Sequence, residues 1–325
     1  MYHIIVNPAS RSGRGKKYWE RILPVLTERN VPYYVHFTEH HGHATEIVKA
    51  LTTHIECTPE ILHLIVLGGD GTVNEVLQGI SRFDKVALSY IPTGSSNDLA
   101  RDLGISTDPV KALLHLLNES DVLTLDMGII HYLDKNSDTP VSGERRFLVS
   151  CGIGYDAAIC QQALRSKVKN ILNKCGLGKL TYLIIALIQL IAVKRTSGQM
   201  MLYKNCDLEN PILAQTIPLT QFLFLAGMNH KYEGGGFKFA PDADTCDGIL
   251  NLCCVSGIKK HRVFQALPAG FKGEHFRFDG VDPYTAPSYR IQLDEPCWVH
   301  TDGEVDCKSH SLFVACKTKV IRFIY

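Results

Sequence analysis

The stretch ILHLIVLGGDGTVNEVLQGI, Ile61 to Ile80, carries an apolar run into three glycines and an acid, then into a segment with helical spacing. Its pattern predicts a strand to Leu67 and a helix from about Val73 to Ser81. Thr72 and Glu75 stand at capping-box spacing, which would specify that helix start twice. A loop at the carboxyl end of a parallel strand is where open α/β folds bind ligands. Gly68, Gly69 and Gly71 let backbone N–H groups approach an anion, and the following helix adds the positive end of its dipole. The same residues also fit a tight turn whose glycines serve geometry alone. Two features weigh toward phosphate. Asp70 lies inside the turn, where a phosphate-bound Mg²⁺ would sit, and a second turn of the same kind, IPTGSSNDLAR from Ile91 to Arg101, follows the next strand. Two such turns on adjacent strands suit one nucleotide lying across both.

Working outward, strand-like YHIIVN, YYVHFT and VALSYI alternate with helical stretches, and Asp108-Pro109 has the form of a helix start. This βαβα order implies a parallel sheet covered by helices. After LTLDMGII, near residue 126, strand-like runs follow one another: RRFLVSCGI, FLFLAGMN, GILNLCCV, YRIQLD, CWVHTDGE and LFVACKT. Only the part from about Asp156 to Thr196 reads as helical. The expected organisation is therefore an α/β nucleotide-binding domain over residues 1–125 and a mainly antiparallel β domain with a helical insertion over 126–316. The terminal strand, 317–325, is a candidate to rejoin the first domain.

Bulk properties narrow the function. The 325 residues are 45% apolar and 21% charged with a formal net charge of +1, so no broad basic footprint for nucleic acid is present. The eleven cysteines show no C-x-x-C spacing and read as reduced, mostly buried thiols of a cytosolic protein. The N-terminus lacks the form of a signal peptide, and the longest apolar run, Leu180 to Val193, is shorter than the roughly 18 residues a membrane span needs.

The loop lacks the G-K-[ST] of a Walker A element and the G-x-G-x-x-G of a Rossmann turn. The motifs VNPASRSGRG, GGDGTVNEV, PTGSSNDLAR, GGGFKFAPDADTCDGIL and HTDGEV together resemble the soluble bacterial diacylglycerol kinase family, related to sphingosine kinases and sharing the fold of NAD kinases. They span Asn7 to Glu304 in the family's order. The resemblance implies ATP and Mg²⁺ as cofactors and a lipid with a free hydroxyl, most simply diacylglycerol, as acceptor. It assigns Asn7, Thr38, Gly68, Gly69, Asp70, Gly71, Thr72, Asn74 and Glu75 to ATP, completed by Gly94 and Ser95. The second turn departs from the family's usual Gly-Thr: Ser95 keeps the hydroxyl in a Gly-Ser-Ser-Asn-Asp run.

By the same resemblance, Glu304 is the base that takes the proton of the substrate hydroxyl, and Asp70 with Asp126 holds the catalytic Mg²⁺. Asp302-Gly303-Glu304 also fits an ordinary β-turn with a solvated Glu, and Asp126 also fits a strand-end turn. The Asp244 carbonyl, the Asp247 carboxylate and the Ile249 carbonyl match a second, structural metal site of the bacterial enzymes.

The histidines from His36 to His43 would suit zinc in isolation, but Thr38 and His43 match positions common in the lipid kinases. Leu180 to Val193, flanked by Lys179 and by Lys194-Arg195, suits either a buried helix or one lying at a membrane surface. The expected protein is cytoplasmic and peripheral at the membrane, in transient contact with it, and homodimer formation stays open. Phosphorylation of a soluble nucleotide in the manner of NAD kinases is one rival reading; a regulator that binds lipid or nucleotide without turnover is the other.

Overall fold

A computed structural model describes residues 1–54, 60–118, 121–135, 139–141, 143–165 and 193–325. The chain forms two compact units, Met1–Met127 with Thr318–Tyr325, and Gly128–Lys317.

In the first unit β1 (Tyr2–Val6), α1 (Gly15–Glu28), β2 (Tyr33–Phe37), α2 (His43–His54), β3 (Leu62–Gly68), α3 (Asp70–Gly79), β4 (Val86–Pro92), α4 (Asp98–Asp102) and α5 (Pro109–Asn118) follow in order. The strands lie in the order β2-β1-β3-β4, all parallel. A parallel sheet buried on both faces needs apolar residues at successive positions, which is why Ile4, Ile5 and Val6, and Leu64 to Leu67, read as unbroken runs and are buried throughout. Trp19, Ile22 and Leu26 of α1 line one stripe of that helix and pack with Ala112, Leu113 and Leu116 of α5 against Ile4, Val6, Ile65 and Leu67. At the start of α5, Asp108 Oδ1 accepts the N–H groups of Val110 and Lys111, both at 3.0 Å, as the Asp-Pro pair predicts.

The second unit contains the second half of β5 (Val122–Leu133), then β6 (Arg145–Phe147), β7 (Ser150–Gly154), α6 (Tyr155–Arg165), β8 (Thr196–Tyr203), β9 (Leu213–Phe222), β10 (Phe224–Met228), β11 (Leu250–Val255), α7 (Lys260–Gly270), β12 (Val281–Ala286), β13 (Ser288–Thr301) and most of β14 (Glu304–Ile324). Its strands run β12-β11-β10-β7-β13-β14, each antiparallel to its neighbours, and β8 with β9 extends from β13. One core gathers Phe147, Phe222, Tyr289, Ile291 and Leu312; another gathers Phe224, Met228, Cys253, Val255 and Val281. The start of the expected helical stretch is present as α6; residues 166–192, with most of Leu180 to Val193, lie outside the described residues, and Thr196 already belongs to β8. Among the described residues no helix is long and apolar enough to cross a membrane.

The chain's last residues pair within the first unit. Arg322 and Phe323 lie parallel to Ala87 and Leu88 of β4, and the Phe323 side chain is fully buried. Removing Leu26 from the α1 stripe tests that core. Leu26→Ala is expected to lower unfolding free energy by about 2–4 kcal/mol, and exposed Glu28→Ala by less than about 0.5 kcal/mol, both read from urea unfolding.

Candidate functional site

In the first unit the two glycine turns touch. A Cβ on Gly69 would come within 3.1 Å of the Gly94 Cα, and one on Gly94 within 2.7 Å of the Gly69 Cα and of Asn97 Oδ1. A Cβ on Gly68 would strike the Thr72 side chain at 2.6 Å. Gly69 has φ −104°, ordinary for any residue, so close approach rather than a left-handed backbone demands glycine here. The Thr93 N–H donates to the Gly68 carbonyl at 2.7 Å, tying the strand ends together.

Asp70 is the first residue of α3, and its Oδ2 accepts the Asp98 N–H at the start of α4 (3.1 Å). Asn97, at φ 52°, turns the chain into α4, and its amide donates to the Gly94 carbonyl at 3.2 Å. The Tyr90 hydroxyl lies between Asn97 Oδ1 (3.2 Å) and Asp70 Oδ1 (3.4 Å). Burial, reinforced by the Asp70 charge, pushes Tyr90 well above the ordinary phenol range, so it stays a donor. Asp70 thus joins both turns with one carboxylate.

The other expected nucleotide residues divide into two groups. Asn7, just after β1, donates from Nδ2 to Thr72 Oγ1 at 3.0 Å, and Thr38, just after β2, donates its N–H to the Val6 carbonyl at 2.9 Å. Ser95 is exposed beside Gly94, Gly71 lies in the first turn of α3, and Asn74 is buried with its Oδ1 accepting from Gln78. Glu75 points elsewhere. Its Oε2 accepts the Ala44 N–H at 3.3 Å in the first turn of α2, and its Oε1 meets His41 Nδ1 at 3.0 Å. The capping-box expectation is corrected accordingly: α3 starts at Asp70 with Gly69 as cap, and Thr72 and Glu75 fall inside the helix with partners on β1's exit loop and on α2. Asp126, 1% exposed on β5, accepts the Lys319 N–H at 2.6 Å. Lys319, within β14, has φ 53°, and that strained backbone and the buried carboxylate hold each other.

In the second unit Thr301 and Glu304 pair across a two-residue turn, with Asp302 at φ 50° and Gly303 at φ 81°. Two positive φ values in succession define the type I′ hairpin, so the turn reading of Asp-Gly is met. The same turn is a rigid mount. Asp302 Oδ1 accepts the N–H groups of Val149 (2.8 Å) and Ser150 (3.0 Å), and its Oδ2 that of Leu148 (3.0 Å). Glu304 follows at once, half-buried at the start of β14.

Asp244 and Asp247 are exposed; Asp244 Oδ1 accepts the Cys246 N–H at 3.0 Å and Asp247 Oδ1 the Ile249 N–H at 2.9 Å. Sequence reasoning passed over His300, Asp156 and Glu233, which converge behind the turn: His300 Nε2 lies 3.2 Å from Asp156 Oδ2 and 3.5 Å from Glu233 Oε1. Their only sequence signal is the histidine two places before Asp302, because they are 67 or more residues apart except through strand pairing. His40, His43 and Glu46 cluster at the start of α2, but His43 Nδ1 already accepts the Glu39 N–H at 3.0 Å.

A parallel sheet ending in paired glycine turns, followed by an antiparallel β unit, defines the NAD kinase-like fold class. Residues 1–130 match the family described as "Diacylglycerol kinase catalytic domain", and residues 150–324 the "YegS C-terminal NAD kinase beta sandwich-like domain". The chain belongs to this family of diacylglycerol and related lipid kinases. It is 26% identical to "Putative lipid kinase YtlR" of Bacillus subtilis over 94% of this chain and 93% of that one. With a "Diacylglycerol kinase" of Mycobacterium tuberculosis it shares 28% identity over 75% and 71% of the two chains. A solved diacylglycerol kinase structure from Bacillus anthracis str. Sterne has the same fold, at TM-score 0.66 and 19% identity over all of this chain and 96% of that one.

Asp302→Ala leaves three backbone donors without their acceptor and is expected to cost about 2–4 kcal/mol of stability. Asp302→Asn, which keeps one oxygen but turns an amide donor toward a backbone N–H, should lose roughly half as much; thermal unfolding of both variants checks the order.

Proposed function

We propose that this chain is an ATP- and Mg²⁺-dependent lipid kinase that transfers the γ-phosphate to a lipid hydroxyl, with diacylglycerol as acceptor and phosphatidic acid as product. The observation that carries the reading is the contact of the two glycine turns through Gly69 and Gly94, with Asp70 spanning them. Close backbone at the start of α3 leaves N–H groups unshielded by any Cβ, at the positive end of the helix dipole, which suits phosphate.

Asp70 and Asp126 supply the hard carboxylate oxygens that Mg²⁺ prefers, and they are the residues that would hold it. When bound, the ion neutralises charge on the phosphates. Asn7, Thr38 and Thr72 keep the strand ends in register around the nucleotide, and Asn74 and Glu75 brace α3 behind it. Glu304 accepts the hydroxyl proton as the lipid oxygen bonds to the γ phosphorus and the bond to the β–γ bridging oxygen breaks. The Asp244 carbonyl, the Asp247 carboxylate and the Ile249 carbonyl would serve a structural cation of the same hard class.

A bilayer substrate requires transient contact with a membrane surface, in keeping with a cytoplasmic, peripheral protein. The exposed residues of α7 and of its two ends support this. Phe264 and Phe271, 43% and 56% exposed, stand among Lys259, Lys260, Arg262 and Lys272, a pairing of apolar wedge and cations that fits an anionic bilayer.

Labelled-ATP phosphorylation of a total lipid extract should yield phosphatidic acid. Glu304→Gln should keep ATP binding and lose transfer by about a hundredfold or more, and wild-type turnover in that variant removes Glu304 from the mechanism. Phe264→Ser should weaken co-sedimentation with phosphatidylglycerol vesicles several-fold while leaving the melting profile unchanged. Undiminished vesicle binding would place membrane contact elsewhere.

A further inference from the structure

Resting on Glu304 as the base, we propose that His300 is a positioning residue for phosphoryl transfer: its ring, fixed between Asp156 and Gly303, holds the Asp302-Gly303 turn so that Glu304 keeps its aim.

The geometry specifies the ring's state. The Gly303 N–H donates to His300 Nδ1 at 3.2 Å, so that nitrogen carries a lone pair and the ring proton sits on Nε2. Nε2 faces Asp156 Oδ2 at 3.2 Å, with Glu233 Oε1 at 3.5 Å. The ring is fully buried, and space for the pair is built into β7: a Cβ on Gly152 would lie 1.9 Å from Asp156 Oδ2 and 2.3 Å from His300 Nε2. Glu233 arrives on a tight loop in which Gly234, Gly235 and Gly236 all have positive φ and Glu233 pairs with Phe237. A core histidine that only fills space needs one polar partner. Two carboxylates brought to one nitrogen, while the other nitrogen grips the turn before Glu304, amount to a mount.

The mount is proton-linked. Burial alone would lower the His300 pKa, but Glu233 and Asp156, with Asp302 further off, raise it from 6.5 to about 9. The Gly303 N–H can only donate and opposes a proton on Nδ1. Of the other groups facing this cluster, burial pushes the Cys151 thiol and the Tyr289 hydroxyl far up and the Cys297 thiol to about 11, so all three stay neutral, while Arg145 donates to Thr301 Oγ1. A second ring proton removes the acceptor that Gly303 uses, so the hold is present above the ring's pKa and lost below it. Stability runs the other way: a raised pKa contributes stability in full below 6.5 and loses it as pH rises through about 9. Over that window turnover should rise while the melting temperature falls.

Hydrogen exchange at the Gly303 amide and initial rates with Mg-ATP and diacylglycerol in phosphatidylglycerol vesicles, both across that pH window, test the assignment. In the wild type, Gly303 should be protected, and its protection, corrected for intrinsic exchange, should rise with pH alongside kcat; a Gly303 amide unprotected across the whole window overturns the proposal without any variant. His300→Asn places an oxygen near the Nδ1 position and should keep protection and kcat within about threefold, with the pH dependence flattened. His300→Gln reaches Asp156 but offers Gly303 nothing, and should lose protection and about tenfold or more in kcat with KM for ATP unchanged. Equal protection in the two variants, or the wild-type ionisation persisting in His300→Asn, overturns it. Glu304→Gln is assayed alongside: full turnover there removes the base, while the Gly303 exchange comparison still decides whether His300 holds the turn.

Discussion

The first unit depends on one close approach, the backbone of Gly69 against that of Gly94, where no side chain fits on either side. Once β3 and β4 lie parallel in register, Gly68 falls opposite Pro92 and the two exits must pass each other within van der Waals distance. The Asp70 carboxylate then reaches the Asp98 N–H, and Asn97 takes a left-handed turn that points its amide at the Gly94 carbonyl. Each of these bonds presupposes the contact. A larger residue at either glycine would part the turns and leave Asp70 and Tyr90 with their shared partners out of reach.

The second unit achieves rigidity by different means. Its key carboxylate, Asp302, is spent on three backbone N–H groups at the entrance to β7, a charge-assisted arrangement far less tolerant of substitution than a solvated turn. Behind it His300, Asp156 and Glu233 form a polar cluster beside the apolar core of Phe147, Phe222, Tyr289, Ile291 and Leu312. A buried ion pair is weak evidence for stability on its own, and this one lies directly behind the Asp302-Gly303 turn, where it fixes geometry.

Much of the architecture was legible in the residues. Unbroken apolar runs at β1 and β3 announced a sheet covered on both faces, and the change to successive strand-like runs after residue 126 announced antiparallel pairing. The Asp108-Pro109 cap was legible because both of its hydrogen bonds are local. The Thr72-Glu75 spacing misled for the opposite reason. Capping boxes are local motifs, but here both side chains found partners outside their helix, Asn7 and Ala44, which lie 65 and 31 residues away. A pattern read within four residues cannot weigh such competitors.

The sequence by itself determined the class of fold and the glycine turns, and its motif order singles out Asp70, Asp126 and Glu304 as candidates, because periodicity, glycine density and motif order are properties of the chain in one dimension. Only the tertiary structure decided what those groups do to one another: that Gly69 must be glycine because of Gly94, that Asp302 serves β7, and that Glu304 follows a turn gripped by a histidine. The reason is physical. Steric exclusion and hydrogen-bond satisfaction act over a few ångströms in space, and strand pairing brings together residues separated by more than a hundred positions, such as Ser150 and Asp302, that no local pattern connects.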